Sequence, residues 1–339
     1  MTTSRARSPE TRKSQTRKSH IGKSEIGNSE VGKSQIGVLG RVPAPILLAA
    51  GIVSVQVGAG FAARMFGTVS AAGLTGLRLW IASLVLAGLG ARPAWRALRA
   101  MIASRSWRQA AVVVGFGLTL GIMNFSIYQA FARIPLGITV TIEFLGPLGV
   151  AIASSRRLID LLWVALAGTG VALLGTSGVG QAMGLQVHGG SVVTGVVYAL
   201  VSAASWASYI LLSRSTGKRF AGSSGLVIAM VIGAVTVTPA AAASAGAVLF
   251  RLPVLAAGLG IALLSSVIPY RFEMETLRRV PARVFGISMS LEPAVAALVG
   301  VVLLGQTLSA AQWLAIGCVM AATAGAAFGA TSQVNAPQA

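Results

Sequence analysis

Ten long apolar runs restrict this chain to the few folds that a lipid bilayer permits. Each run has about 17 to 24 residues, the length that a helix needs to cross ~30 Å of hydrocarbon. Hydrophobic residues make up 55% of the 339, and the mean hydropathy is +0.78. The runs are rich in Ala, Gly and Leu and do not alternate in polarity as membrane β-strands do. The sequence therefore predicts an all-α membrane protein with ten transmembrane helices, at residues 45–63, 72–91, 110–131, 136–154, 159–178, 192–213, 223–243, 253–270, 284–304 and 310–329.

The basic residues indicate how these helices are oriented. Of the 27 Lys and Arg residues, 23 lie in segments that ten spans would place on the same side as the N-terminus. Arg64, Arg133 and Arg251 lie on the opposite side, and Arg78 lies within the second span. Because cytoplasmic loops are enriched in Lys and Arg, we expect a plasma-membrane protein with both termini in the cytoplasm. This distribution accounts for the net charge of +19 without a nucleic-acid partner.

A basic tail, residues 1–41, precedes the first span. Residues 11–35 form five pentads, and a period of five matches neither a helical face nor a strand face. We therefore expect a disordered cytosolic tail, with a second short tail at 330–339. The stretch from Gly27 to Ser34 matches the phosphate-binding pattern Gly-x4-Gly-Lys-Ser. No strand or helix pattern flanks it, so the sequence does not predict nucleotide binding.

A triplet Arg-[Ile/Val]-Pro occurs twice, 146 residues apart, at 133–135 and 279–281. Each copy is followed twelve positions after its proline by another proline, Pro147 or Pro293. A proline inside a helix removes a backbone hydrogen bond, so we predict interrupted helices here. A break of this kind either lines a cavity or serves helix packing, and the matched pair favours a cavity.

The repeat continues beyond these prolines, because Trp163 recurs as Trp313 at a spacing of 150 residues. The matches divide the chain into two five-helix repeats, residues 45–178 and 192–329. An odd number of helices inverts the second repeat relative to the first. Inverted repeats are typical of transporters that give alternating access to a site near the bilayer midplane.

Glu143 and Glu292 are the two acids that these spans place deepest in the membrane. A charged acid at such depth costs several kcal/mol unless it is paired, hydrated or protonated. We interpret both as substrate-binding or proton-coupling residues. The competing interpretation is structural pairing with an arginine such as Arg78.

Other polar residues are candidates for the lining of the same site. Asn124 and Tyr128 are four residues apart and share a helix face, and Trp206 and Tyr209 are secondary candidates in span six. Each either lines a cavity or holds helices together. Arg78 either binds a substrate carboxylate or extends its side chain to the membrane surface.

Three further segments have structural interpretations. The mixed charges between 270 and 283 predict a salt-bridged cytosolic loop. Gly117 and Gly121 have the spacing of close helix packing. Cys318 is the single cysteine, which excludes an intramolecular disulfide, and we expect it to be a small core residue.

An enzyme is the main competing class. Catalysis needs a convergent set of reactive groups, yet the two histidines, His20 and His188, lie outside every predicted span. We therefore predict neither an enzyme nor a cofactor or metal. Efflux of toxic hydrophobic cations is a second alternative, but it favours an aromatic cavity and aromatic residues are only 6% of the chain. Small polar solutes fit this composition better.

Two sets of residues carry a resemblance to a known family: Met123-Asn124, Tyr128, Pro135 to Ile138, Glu143-Phe144 and Gly146 to Leu148 in the first half, and Pro269-Tyr270, Glu273, Arg279 to Pro281, Phe285-Gly286, Met289-Ser290 and Glu292 to Ala294 in the second. They resemble the EamA-like branch of the drug/metabolite transporter superfamily and, within it, the threonine and homoserine exporters. The resemblance implies a ten-helix inner-membrane exporter of small amino acids, driven by proton exchange. The chain departs from that pattern at Gln306, where such proteins often have Glu, and in its basic tail.

Overall fold

The structure is a computed structural model that describes residues 42–153, 159–176, 191–220, 224–277 and 279–330. The predicted tail at 1–41, the phosphate-loop pattern and His188 lie outside these residues, and so does the second predicted tail apart from Ala330. The described residues are helical and contain no β-strand. The helices, numbered in chain order, are α1 Ala44–Arg64, α2 Ala71–Ala103, α3 Trp107–Phe131, α4 Leu136–Glu143, α5 Leu145–Ala153, α6 Ile159–Thr176, α7 Val192–Gly217, α8 Ser224–Ala245, α9 Leu252–Ala262, α10 Ile268–Leu277, α11 Ala282–Met289, α12 Glu292–Leu304 and α13 Ala310–Ala330.

Nine stretches of the described residues are long and apolar enough to cross a membrane. They coincide with nine of the ten predicted spans, so a polytopic helical fold is confirmed. Helix α6 occupies the remaining predicted span, 159–178, and its passage through the membrane stays a prediction.

Two of the membrane-spanning segments are interrupted near their middle. In the first half, α4 begins directly after Pro135 and ends at Glu143, and α5 continues after Phe144. In the second half, α11 begins directly after Pro281 and runs for 8 residues, as α4 does. Both interruptions lie a few residues before Pro147 and Pro293, at equivalent distances after the two triplet copies.

The two interrupted segments lie against each other. Helix α4 packs on α12, and a Cβ atom at Gly137 would lie 2.6 Å from Ala297 Cα. Gln306, the residue that departs from the family pattern, contributes to this contact. Its Oε1 atom accepts a hydrogen bond of 3.1 Å from the backbone N–H of Leu136, the first residue of α4. Gln306 therefore satisfies a backbone donor that the start of this helix would otherwise leave unpaired.

Helix α2 is longer than the sequence predicted. The predicted span ends at residue 91, and α2 continues through Pro93 to Ala103. One proline removes a single helical hydrogen bond, and good helix formers such as Ala, Leu and Arg follow it. The segment that connects the second and third spans is therefore helical for most of its length.

The charged segment between 270 and 283 is also not the loop that was predicted. Its first part belongs to α10, which ends at Leu277. Glu275 does form an ion pair with Arg279, as expected of a salt-bridged segment. Glu273, in contrast, lies away from that pair and at the wall of a cavity.

Small residues bring neighbouring helices into close contact, as predicted for Gly117 and Gly121. A Cβ atom at Gly121 would lie 2.9 Å from the carbonyl oxygen of Gly233, where α3 packs on α8. The lone cysteine, Cys318, is only partly buried in α13, so the expectation of a core position holds in part.

Gly146 offers a test of this close packing. A Cβ atom there would lie 2.2 Å from the carbonyl oxygen of Ala203 in α7, and a backbone oxygen cannot rotate away. We expect Gly146→Ala to lower the free energy of unfolding by about 1 to 3 kcal/mol. The matched control is Gly149→Ala in the same helix, where nothing lies within 4 Å and alanine should stabilise the helix. Thermal unfolding of the purified protein measures both, and a shift in the same direction for both variants would contradict the packing argument.

Candidate functional site

A cavity of about 320 Å³ lies inside the bundle, beside both helix breaks. Its volume falls within the ~300 to 1,000 Å³ typical of small-molecule sites. Helices from both halves of the chain contribute to its wall. The polar and aromatic side chains that line it include Gln56, Arg78, Asn124, Tyr128, Phe131, Glu143, Trp206, Tyr209, Ser265, Ser266, Tyr270, Glu273, Phe285 and Glu292.

Seven side chains singled out from sequence as lining candidates are at this wall: Glu143, Glu292, Asn124, Tyr128, Arg78, Trp206 and Tyr209. The structure therefore brings together residues that are up to 236 positions apart, as Gln56 and Glu292 are. Pro147 and Pro293 lie just beyond the two breaks and do not contribute to the described wall. Pro147 is the third residue of α5, and Pro293 is the second residue of α12.

Glu143 is held by a neighbouring hydroxyl group. It is the last residue of α4, and Ser202 of α7 donates a hydrogen bond of 2.5 Å to its Oε1 atom. Ser202 is completely buried, so this contact fixes the carboxylate against the second half of the chain. Among the described residues Glu143 forms no ion pair.

Glu292 is the first residue of α12, and its side chain is held by α1. Gln56 Nε2 donates a hydrogen bond of 3.1 Å to Glu292 Oε1. The other carboxylate oxygen, Oε2, is buried and has no hydrogen-bond partner among the described residues. Glu292 is only 7% exposed, yet it too forms no ion pair in the described part of the chain. Structural pairing of these acids with Arg78 is therefore not observed.

Arg78 is buried at the same wall and does not extend to a membrane surface. It is 6% exposed, and its guanidinium group donates a hydrogen bond to Asn124 Oδ1. The guanidinium carbon lies 4.8 Å from the centre of the Tyr128 ring, a cation–π distance. Asn124 is oriented in turn, because its Nδ2 atom donates to the carbonyl oxygen of Leu120 at 2.8 Å.

Glu273 and Tyr270 are cavity residues that sequence reasoning missed. Both lie on α10, and Glu273 adds a third acid to the wall. The cavity thus holds three of the eight acids of the chain and one arginine. The sequence signal was ambiguous because Glu273 stands beside Arg271 and Glu275, which look like a solvated charge cluster.

A π-helical turn, Leu263–Val267, joins α9 to α10 and brings two serines to the wall. It lies just before Pro269, which lacks the N–H group that would bond to the Ser265 carbonyl. Ser54 of α1 donates a hydrogen bond of 2.8 Å to the carbonyl oxygen of Leu264 in this turn. Turns of this kind are frequent at functional sites, where they reposition side chains.

Aromatic residues are more frequent at the wall than the composition suggested. Six of them line the cavity: Tyr128, Phe131, Trp206, Tyr209, Tyr270 and Phe285. The ring of Trp206 also packs edge-on against Phe144, at 5.0 Å between centroids, at the break between α4 and α5. The inference from the low aromatic content that the site itself has few aromatic side chains is wrong.

The helical bundle, its two interrupted helices and the charged cavity at their meeting point define a multi-pass membrane transporter. Residues 193–328 match the EamA-like transporter family. The threonine/homoserine exporter RhtA of Escherichia coli K12 is 39% identical to this chain over 284 residues, which is 84% of this chain and 90% of the relative. RhtA of Salmonella typhimurium LT2 has the same identity and coverage. The chain belongs to the EamA-like transporter family, and it is not an enzyme.

A solved crystal structure has the same fold. It aligns with 86% of this chain and 99% of its own, with a TM-score of 0.50 and 19% sequence identity. At that identity the similarity concerns the arrangement of helices alone. It agrees with the helical architecture described above.

Proposed function

We propose that this transporter exports small hydrophilic amino acids, of the threonine and homoserine kind, across the plasma membrane. The observation that carries this proposal is a buried arginine, Arg78, and a buried acid, Glu292, that line one cavity without an ion pair between them. A buried charge is costly unless it is paired, so an occupant with both charges stabilises both sides of the cavity. A zwitterionic amino acid is such an occupant. The names of the bacterial relatives support the same substrate class.

Alternating access by two inverted five-helix repeats is the proposed mechanism, with both chain termini in the cytoplasm. Its support is the equal length of α4 and α11, each beginning after the proline of its own triplet. The close contact of α4 with α12 places an interrupted segment of each half beside the cavity. Rocking of one half against the other then exposes that cavity to each side of the membrane in turn.

Proton antiport is the proposed energy source. A carboxylate that binds either a substrate ammonium group or a proton, but not both, exchanges one for the other. Glu143 and Glu292 line the same cavity, so both are placed for such competition. An outward amino-acid flux is then coupled to an inward proton flux.

Efflux of hydrophobic cations is the second candidate, and the six aromatic residues of the wall favour it. Arg78 opposes it, because a fixed positive charge in the cavity repels a cation that carries no carboxylate. The two candidates therefore make opposite predictions for a substrate that lacks a negative charge.

Counterflow in proteoliposomes separates the two candidates. Vesicles loaded with unlabelled L-threonine are expected to take up labelled L-homoserine, and vesicles loaded with tetraphenylphosphonium are not expected to take up that cation. Cation counterflow without amino-acid counterflow would refute the amino-acid proposal.

Proton coupling is tested separately. An imposed pH gradient should drive net accumulation of homoserine. A homoserine flux that does not depend on this gradient would refute proton coupling but not amino-acid export.

A further inference from the structure

The unpaired polar atoms of the cavity residues divide into two chemical groups. Five lining residues carry a buried side-chain atom that has no hydrogen-bond partner among the described residues: Gln56 Oε1, Arg78 Nε, Tyr128 Oη, Ser265 Oγ and Glu292 Oε2. A buried polar atom without a partner costs about 1 to 3 kcal/mol, so folded proteins rarely leave several of them together. Such a cluster at a cavity indicates that an occupant supplies the missing partners.

Three of these atoms can accept a hydrogen bond, and they lie on neighbouring elements. Gln56 donates through its Nε2 atom to Glu292, which leaves Gln56 Oε1 as an acceptor. Ser265 lies close to α1, because a Cβ atom at Gly58 would lie 2.3 Å from its Oγ atom. With Glu292 Oε2, this group offers three oxygens, and an ammonium group has three N–H donors to satisfy them.

The remaining two atoms can donate a hydrogen bond, and they lie on α2 and α3. Arg78 Nε carries an N–H group that can only donate, and it has no partner. Arg78 also contacts the ring of Tyr128, and the hydroxyl group of that tyrosine has no hydrogen-bond partner. Two donors, one of them charged, match the acceptor oxygens of a carboxylate. No acid pairs with Arg78 in the described part of the protein, so this end of the cavity has no negative charge of its own in contact with the guanidinium group.

We infer that the cavity binds its substrate at two separate poles, and that this selects for a zwitterion. Gln56, Ser265 and Glu292 form the ammonium pole, and Arg78 with the Tyr128 hydroxyl forms the carboxylate pole. This inference rests on the proposed amino-acid export and adds the orientation of the substrate in the site. It also assigns Gln56 and Ser265, two neutral side chains, to substrate recognition.

Matched hydroxyl deletions test the two poles separately. Tyr128→Phe removes a donor at the carboxylate pole, and Ser265→Ala removes an acceptor at the ammonium pole. The probes are L-homoserine, 3-aminopropan-1-ol, which has no carboxylate, and 4-hydroxybutyrate, which has no amine. Competition against labelled L-homoserine on the purified protein in lipid nanodiscs measures the affinity for each. The wild-type protein is expected to bind both analogues at least about 10-fold more weakly than homoserine.

Each variant is expected to affect only the ligands that use its pole. Tyr128→Phe should weaken the binding of homoserine and 4-hydroxybutyrate about 10-fold and leave that of 3-aminopropan-1-ol unchanged. Ser265→Ala should weaken the binding of homoserine and 3-aminopropan-1-ol about 10-fold and leave that of 4-hydroxybutyrate unchanged. The control is Ser83→Ala, because Ser83 Oγ is also buried and unpaired but does not line the cavity. It should change none of the three affinities.

Three results would overturn the inference: analogues that bind as tightly as homoserine, variants that weaken both analogues equally, or variants that leave homoserine binding unchanged. An analogue that does not compete at all agrees with the expected weak binding. The homoserine affinities of the two variants then decide whether Tyr128 and Ser265 bind the substrate. A wild-type protein that binds and exports no amino acid would refute the proposed function itself. A protein that exports homoserine but shows no separation of the poles would refute only the orientation.

Discussion

Glu292→Gln is expected to reduce amino-acid export about 10-fold to 100-fold without loss of folded protein. Glutamine has nearly the same size and keeps a hydrogen bond with Gln56, but it has no charge to hold an ammonium group or to exchange a proton. Hydrogen bonds to charged groups contribute about 1.5 to 3 kcal/mol, which corresponds to this range of rates. Export is measured as homoserine flux per molecule of protein in the membrane.

Stability should move in the opposite direction. The substitution replaces a buried carboxylate that has one unpaired oxygen with a neutral amide, so the desolvation cost falls. We therefore expect an unchanged or higher unfolding temperature for Glu292→Gln. A loss of export accompanied by a lower unfolding temperature would mean that Glu292 acts mainly in folding.

Glu275→Gln is the matched control for this loss of charge. Glu275 lies on α10 in an ion pair with Arg279, and the two side chains are 23% and 25% exposed. Partly exposed pairs of this kind contribute little to stability, and Glu275 is not part of the cavity wall. Export by this variant should remain near the wild-type rate. If Glu275→Gln and Glu292→Gln reduced export equally, the loss would not depend on the position of Glu292 in the cavity.

Arg78→Gln should also reduce amino-acid export about 10-fold to 100-fold, for a complementary reason. The variant keeps a donor for Asn124 but removes the only arginine of the described wall, and with it the counter-charge for a substrate carboxylate. Arg78→Lys keeps the charge and loses the planar fork, so we expect an intermediate rate. Counterflow of labelled L-homoserine measures all three proteins.

The same substitution should improve the transport of a cation that lacks a carboxylate. Without Arg78 the three acids and six aromatic rings form a wall that suits a hydrophobic cation. Tetraphenylphosphonium flux is therefore expected to rise in Arg78→Gln. The control is Arg99→Gln, because Arg99 is exposed on α2 and stacks on Trp95 at 4.9 Å, outside the cavity. A parallel fall of both fluxes in Arg78→Gln would indicate a structural role for Arg78.

The sequence predicted the helix breaks because proline has the same local effect wherever it occurs. Pro147 and Pro293, at matching distances after two Arg-[Ile/Val]-Pro triplets, indicated where regular hydrogen bonding would fail, and α4 and α11 end close to them. Glu143 and Glu292 were identified by the same reasoning, since an acid in an apolar span requires a special environment. Both line the cavity.

Other wall residues were missed because their sequence signals pointed elsewhere. Glu273 was assigned to a surface loop by its charged neighbours, and the length of α10 was not evident from hydropathy. Gln56 carried a usable signal, as a lone amide in an apolar span, but no pattern related it to Glu292. Ser265 depends on a π-helical turn, and a single small hydroxyl in an apolar segment does not indicate one.

The sequence alone determined the membrane-spanning helical class, the positions of most spans and the two helix interruptions. These properties are local, because they depend on runs of apolar residues and on the missing N–H group of proline. Only the tertiary structure decided that Arg78 forms no ion pair with the acids of the described wall, that Gln56 bonds to Glu292, and that aromatic rings line the wall. Those properties arise from packing between helices distant in the chain, where the free energy depends on which side chains meet and which buried charges are left without a partner.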